Sequence, residues 1–174
     1  KGYRVGIKFI IQNPDKFFLL AIKKLSLFWS VIRSDGWWSH IKNPLDKLAS
    51  ISLSILFAIF IFSFGIMGMV FSVGDKDNIF KFLLCSFIIV CPLSLIPFFV
   101  ETRYRLPIYP FMIIFASYGL TLLPQIKSVL KSKEEKNLKY LKISVILIVI
   151  LLLNSIYDYI INMEEIIKRV KPLF

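Results

Sequence analysis

Residues 101–110 read Glu-Thr-Arg-Tyr-Arg-Leu-Pro-Ile-Tyr-Pro, a stretch equipped to meet an anion. Glu101, Arg103 and Arg105 lie between two apolar runs, with no spacer to carry them into water. An arginine at membrane depth is costly unless it snorkels, pairs or binds an anion. Its planar fork matches a phosphate, and the start of the helix that follows adds a partial positive charge. A lipid-linked phosphate or pyrophosphate is therefore a suitable ligand. Plain anchoring at the membrane interface, with Glu101 neutralising one arginine, is the competing explanation.

The surrounding sequence has the composition of a membrane protein. It has 174 residues, 57% hydrophobic and 16% aromatic, and a mean hydropathy of +0.73. Soluble domains are only about 45–50% apolar. Four charge-poor runs long enough to cross a bilayer are expected near 48–73, 82–100, 106–123 and 143–161. The first would span roughly 39 Å as a helix. Gly65 and Gly68 in it allow a neighbouring helix close approach. Pro92 and Pro97 predict that the second kinks or ends early, and Pro107 and Pro110 fall in the opening turn of the third. The expected fold is all-α, a polytopic membrane protein with about four transmembrane helices preceded by amphipathic interfacial helices. Its parts are an amphipathic segment (1–47), a four-helix transmembrane region (48–161) and a tail (162–174).

Within residues 1–47 a helical pattern already runs at Tyr3, and Asn13-Pro14-Asp15 marks a second helix start with Asn13 as N-cap. Beyond it Lys16, Lys23 and Lys24 fall on one side, and Phe18, Ile22, Leu25 and Trp29 on the other. That pattern suits a helix lying in a membrane interface or packed on further protein. Trp37 and Trp38, after a Ser34-Asp35-Gly36 turn, fit an aromatic belt. The chain starts at Lys1, as though it were the C-terminal part of a longer membrane protein whose N-terminal part is a partner to these helices.

The formal net charge of +11 comes from residues lying almost wholly outside the apolar runs, as for lysines facing anionic headgroups. No zinc-finger or RNA-binding motif accompanies it, so nucleic acid is not an expected partner. Charge alone leaves orientation open. The 124–142 loop carries six lysines, but the segment before the first span is basic as well.

Other candidates for chemistry are weaker. His40 is the only histidine, and no metal or cofactor is expected. Cys85 and Cys91 read as packing residues. Asp75 and Asp77, Glu134 and Glu135, and Glu164 and Glu165 read as solvated charges. Asp158 is either buried in the fourth span or interfacial beside Tyr157 and Tyr159.

The run Val100-Glu101-Thr102-Arg103-Tyr104-Arg105-Leu106-Pro107-Ile108-Tyr109-Pro110-Phe111, continuing to Ala116-Ser117-Tyr118-Gly119-Leu120, resembles a late segment of bacterial polyprenyl-phosphate-dependent glycosyltransferases. These are GT-C type enzymes, related to dolichyl-phosphate-mannose protein mannosyltransferases and to the aminoarabinose transferase of lipid A. The stretch from Phe9 to Phe17, continuing through Lys23-Lys24-Leu25 to Phe28-Trp29, resembles the amphipathic region that precedes their last helices. Together the two cover about residues 5–120.

The resemblance implies transfer of a sugar from a polyprenyl-phosphate-linked sugar to an extracytoplasmic acceptor, in a cell inner or plasma membrane. Glu101–Arg105 would face outward and Pro124–Lys142 the cytoplasm. Arg103 and Arg105 would contact the carrier phosphate, with Tyr104 and Glu101 beside them. The family's catalytic carboxylate sits in an early extracytoplasmic loop that this sequence does not contain, so no catalytic residue is expected here. The alternative from another class is a non-enzymatic lipid-linked glycan transporter or flippase, or an accessory membrane subunit.

Overall fold

A computed structural model of the chain describes residues 2–32, 42–73, 79–95, 102–132 and 135–161. Trp37, Trp38, Asp75, Asp77, Pro97, Glu101, Glu134, Glu164 and Glu165 lie outside the described residues. Six α-helices follow in order: α1 (Gly2–Gln12), α2 (Pro14–Trp29), α3 (Pro44–Val73), α4 (Ile79–Leu95), α5 (Tyr109–Ser132) and α6 (Glu135–Ile161). A 3-10 turn, Thr102–Arg105, precedes α5, and the described residues contain no strand.

Proline sets several of the boundaries. α2 starts at Pro14, as expected, but the Asn13 side chain makes no capping hydrogen bond. The break is a backbone one. The Asn13 N–H still donates to Phe9 O at 2.9 Å, closing α1, and Pro14 has no N–H to continue the ladder. α3 begins at Pro44, before the expected residue 48, through a second Asn-Pro start. Asn43 Oδ1 accepts from the Leu45 N–H at 3.2 Å, and Asn43 Nδ2 donates to Asp46 Oδ2 at 3.0 Å. The helix that carries the first expected span therefore starts four residues before it. α4 ends at Leu95, two residues short of Pro97.

The lysine-rich stretch expected as a loop over 124–142 is mostly helix. α5 continues through Pro124 to Ser132, and α6 starts at Glu135 rather than near Ile143. Gln, Lys and Leu are good helix formers, and Glu135 favours the positive end of α6 and sits four residues before Lys139.

α3 and α6 are long and apolar enough to cross a membrane. Only 39% and 22% of their apolar stretches are buried, whereas the core helix of a soluble domain is mostly buried. Leu53, Leu56, Phe57 and Phe60 of α3 and Val149, Ile150, Leu153 and Ile156 of α6 are exposed. α3 and α5 run in the same direction: Phe62 meets Tyr109, and Gly65 and Gly68 meet Met112 and Phe115. α6 runs the other way, its early Tyr140 stacked on Phe71 of α3 and its late residues beside α2. The core joins Phe28 and Val31 to Ala58, Ile61, Phe62, Ile66, Ile88, Ile108, Met112 and Leu151.

The α3–α5 seam is built on glycine. A Cβ on Gly68 would strike the Phe115 carbonyl oxygen, and one on Gly119 the Phe64 carbonyl oxygen. On Gly65 it would meet the far end of Met112 first, at 2.6 Å from Cε, which can swing away. Helices in lipid gain association energy from such close backbone approach. Gly68→Ala is expected to lower the stability of the detergent-solubilised protein by about 1–3 kcal/mol. Gly65→Ala should cost visibly less, and equal losses in thermal unfolding would contradict this account of the seam.

Candidate functional site

The residues best placed for function gather where the end of α2 meets the turn before α5 and the late part of α6. α2 ends without any of the usual devices. No basic residue lies in its last turn, and the chain leaves through Ser30 and Val31 in place of a glycine. A helix end leaves its last carbonyls unsatisfied, with a partial negative charge. The Ser30 N–H reaches Leu27 O only at a long 3.4 Å.

Arg105 supplies what α2 lacks. Its Nη2 donates to Leu27 O at 3.0 Å across 78 residues of sequence, and the side chain is 1% exposed. The chain is folded there by the 3-10 turn and by a second turn in which the Ile108 N–H donates to Arg105 O at 2.8 Å. Ile108, fully buried, anchors that turn in the core, and its carbonyl accepts the Met112 N–H at 2.9 Å to start α5. Tyr104 is half-buried against the same core.

A row of polar groups on α6 holds the other side of α2. Asn154 Nδ2 donates to Ser26 O at 2.9 Å, and Ser26 Oγ donates to Asn154 Oδ1 at 2.6 Å. One turn further, Ser30 Oγ donates to Asp158 Oδ2 at 2.7 Å, and the Val31 N–H donates to Ser155 Oγ at 3.0 Å. Ser155 Oγ in turn donates back to Leu151 O. Asp158 is 3% exposed, which settles its placement in favour of burial.

Trp29 stacks edge-on against Phe62, midway along α3, so this polar junction is walled by aromatic and aliphatic side chains. Polar groups in such surroundings must find partners within the protein.

Of the four residues expected at an anion site, the structure thus brings Arg105 and Tyr104 to the end of α2. The backbone of Arg103 lies in the same 3-10 turn, and Glu101 lies outside the described residues. Ser26, Ser30, Asn154 and Ser155 were not foreseen. Their signal was present as polar residues one turn apart in otherwise apolar helices. Compared with protein-family models, curated proteins and solved structures, the chain matches none.

Arg105→Met, which keeps the length and loses the donors, is expected to destabilise the protein by about 1.5–3 kcal/mol, the range for a hydrogen bond from a charged group. Ser30→Ala and Asp158→Ala should show a coupling of at least about 0.5 kcal/mol in a double-mutant cycle. Strict additivity of the two would show that the Ser30–Asp158 bond contributes nothing to the docking of α2.

Proposed function

We propose that this chain is the C-terminal membrane portion of a glycosyltransferase that moves a sugar from a polyprenyl-phosphate carrier to an extracytoplasmic acceptor. The observation that carries the reading is the contact between Arg105 and Leu27. Each belongs to one of the two segments that carry the resemblance, and those segments meet in space although they are far apart in sequence. Arg103 contacts the carrier phosphate, where a fixed guanidinium also stabilises charge on the departing group. Arg105 is a positioning residue that locks the 102–105 turn to α2. Tyr104 stands beside the sugar, and Glu101 balances the arginine charge.

All four apolar helices cross the membrane in this reading. α3 and α5 run in the same direction, so the chain between them has to return, and α4 is the apolar helix available for it. At about 1.5 Å per residue its 17 residues return the chain by roughly 25 Å. Residues 42 and 105 then share the extracytoplasmic side, and the junction of α5 and α6 faces the cytoplasm.

Two measurements test this. In the full-length protein, Arg103→Ala should lower sugar transfer from a polyprenyl-phosphate donor at least about tenfold, the effect of losing about 1.4 kcal/mol of transition-state stabilisation, while thermal unfolding stays unchanged. Unchanged transfer removes the assignment, and a lipid-linked glycan transporter becomes the better reading if the protein then moves the carrier without hydrolysing it. For topology, a membrane-impermeant maleimide should label Lys42→Cys in intact cells and Lys139→Cys only after permeabilisation. The reverse pattern overturns the orientation.

A further inference from the structure

The first half of α2 has a surface that the packed helices leave uncovered. Its hydrogen bonds to α6 come from Ser26, Ser30 and Val31, at and just beyond its last turn. Ahead of these, Phe18 is 66% exposed, Leu19 67% and Ile22 49%. Water would not tolerate that much open apolar surface on a helix whose other end is locked in place. The part of α2 ahead of Ser26 carries Lys16 and Lys23, both exposed, and exposed Lys8 lies on the adjoining α1. Asp15 is the one acidic residue in α1 and α2.

We infer that this part of α2 is a docking surface for anionic membrane lipid, with Phe18, Leu19 and Ile22 among the acyl chains and Lys16 and Lys23 on the headgroup phosphates. Two features favour lipid over protein as the occupant. The exposed apolar residues match in character the uncovered first half of α3, from Leu45 to Phe60, and the face of α6, which is open along its length. The charge is mainly positive, with Asp15 the one acidic residue, and sits on long, flexible lysine side chains, which can follow a headgroup whose position is not fixed. A basic residue near an anionic surface contributes about 1 kcal/mol, so each lysine should change lipid preference about fivefold.

The inference rests on the membrane reading of the bundle and not on sugar transfer, so an inactive or unaffected Arg103 variant leaves it standing. The test uses the whole protein in vesicles of phosphatidylcholine, with or without phosphatidylglycerol. A nitroxide at Phe18→Cys, with Cys85→Ala and Cys91→Ala, should be accessible to oxygen and closed to a water-soluble nickel complex. Spin-labelled phosphatidylglycerol should be held several-fold in excess over spin-labelled phosphatidylcholine. Lys16→Gln with Lys23→Gln should abolish most of that excess while leaving thermal unfolding unchanged. A label closed to both oxygen and nickel would mean that protein covers the face. A label open to nickel would mean that water does, and an undiminished lipid preference in the double variant would remove the lysines from the contact. Each of these three results overturns the proposal.

Discussion

The arrangement of the molecule depends on closing the C-terminus of α2 in a place with no water to do it. That helix ends among Phe28, Trp29 and Phe62 with exposed carbonyl dipoles and no local cation. In a low-dielectric setting an unsatisfied carbonyl is expensive and a charged donor is correspondingly effective. Arg105 meets both needs at once: the carbonyl gains a donor, and the guanidinium gains the negative end of a helix dipole. Neither group would be stable there alone. The pairing gives an arginine buried between two apolar runs a partner within the chain.

That cap works only if α5 starts at the right height, and the glycine seam controls the height. Gly68 and Gly119 let the backbones of α3 and α5 touch, so neither helix can slide without a clash or a gap. Met112, seated against Gly65, lies one turn from Ile108, and Ile108 is hydrogen-bonded to the Arg105 carbonyl. A chain of short contacts thus runs from the middle of α3 to the guanidinium. The polar row of α6 completes the clamp from the other side, with hydrogen bonds that specify register because each misalignment would strand a buried group.

How much of this was legible in the sequence varies with the kind of interaction. Helix existence was legible, because apolar runs of this length have few other solutions and prolines mark their ends. The start of α3 is signalled by Asn43-Pro44, which repeats Asn13-Pro14, but hydropathy marks the helix only from residue 48 because Asp46 and Lys47 interrupt the apolar run. The lysine-rich 124–142 stretch shows the opposite: its charge density suggests a loop, whereas helix propensity carries through polar residues and even past Pro124. At the site, the special character of residues 101–110 was plain from arginines between apolar runs. The partner of Arg105 was not, because a backbone carbonyl has no side-chain signature. Asp158 and Asn154 were visible as polar interruptions of α6, but nothing local says that α2 is what they face.

The buried state of Arg105 also constrains where an anionic ligand can act. A guanidinium has five N–H donors in a fixed plane, so donating to Leu27 O sets its orientation while leaving other donors to the rest of its surroundings. Only 1% of its surface is exposed. A phosphate that took the Nη2 donor of Arg105 would displace Leu27 O, and the end of α2 would lose its cap in the same step. Binding would then be coupled to release of α2, since the same donor cannot serve the helix and the ligand along one direction. An anion held instead by the neighbouring turn leaves the clamp intact and uses it as a rigid support. The second arrangement is the less costly one, because it retains the hydrogen bonds on which the junction of α2, α5 and α6 is built.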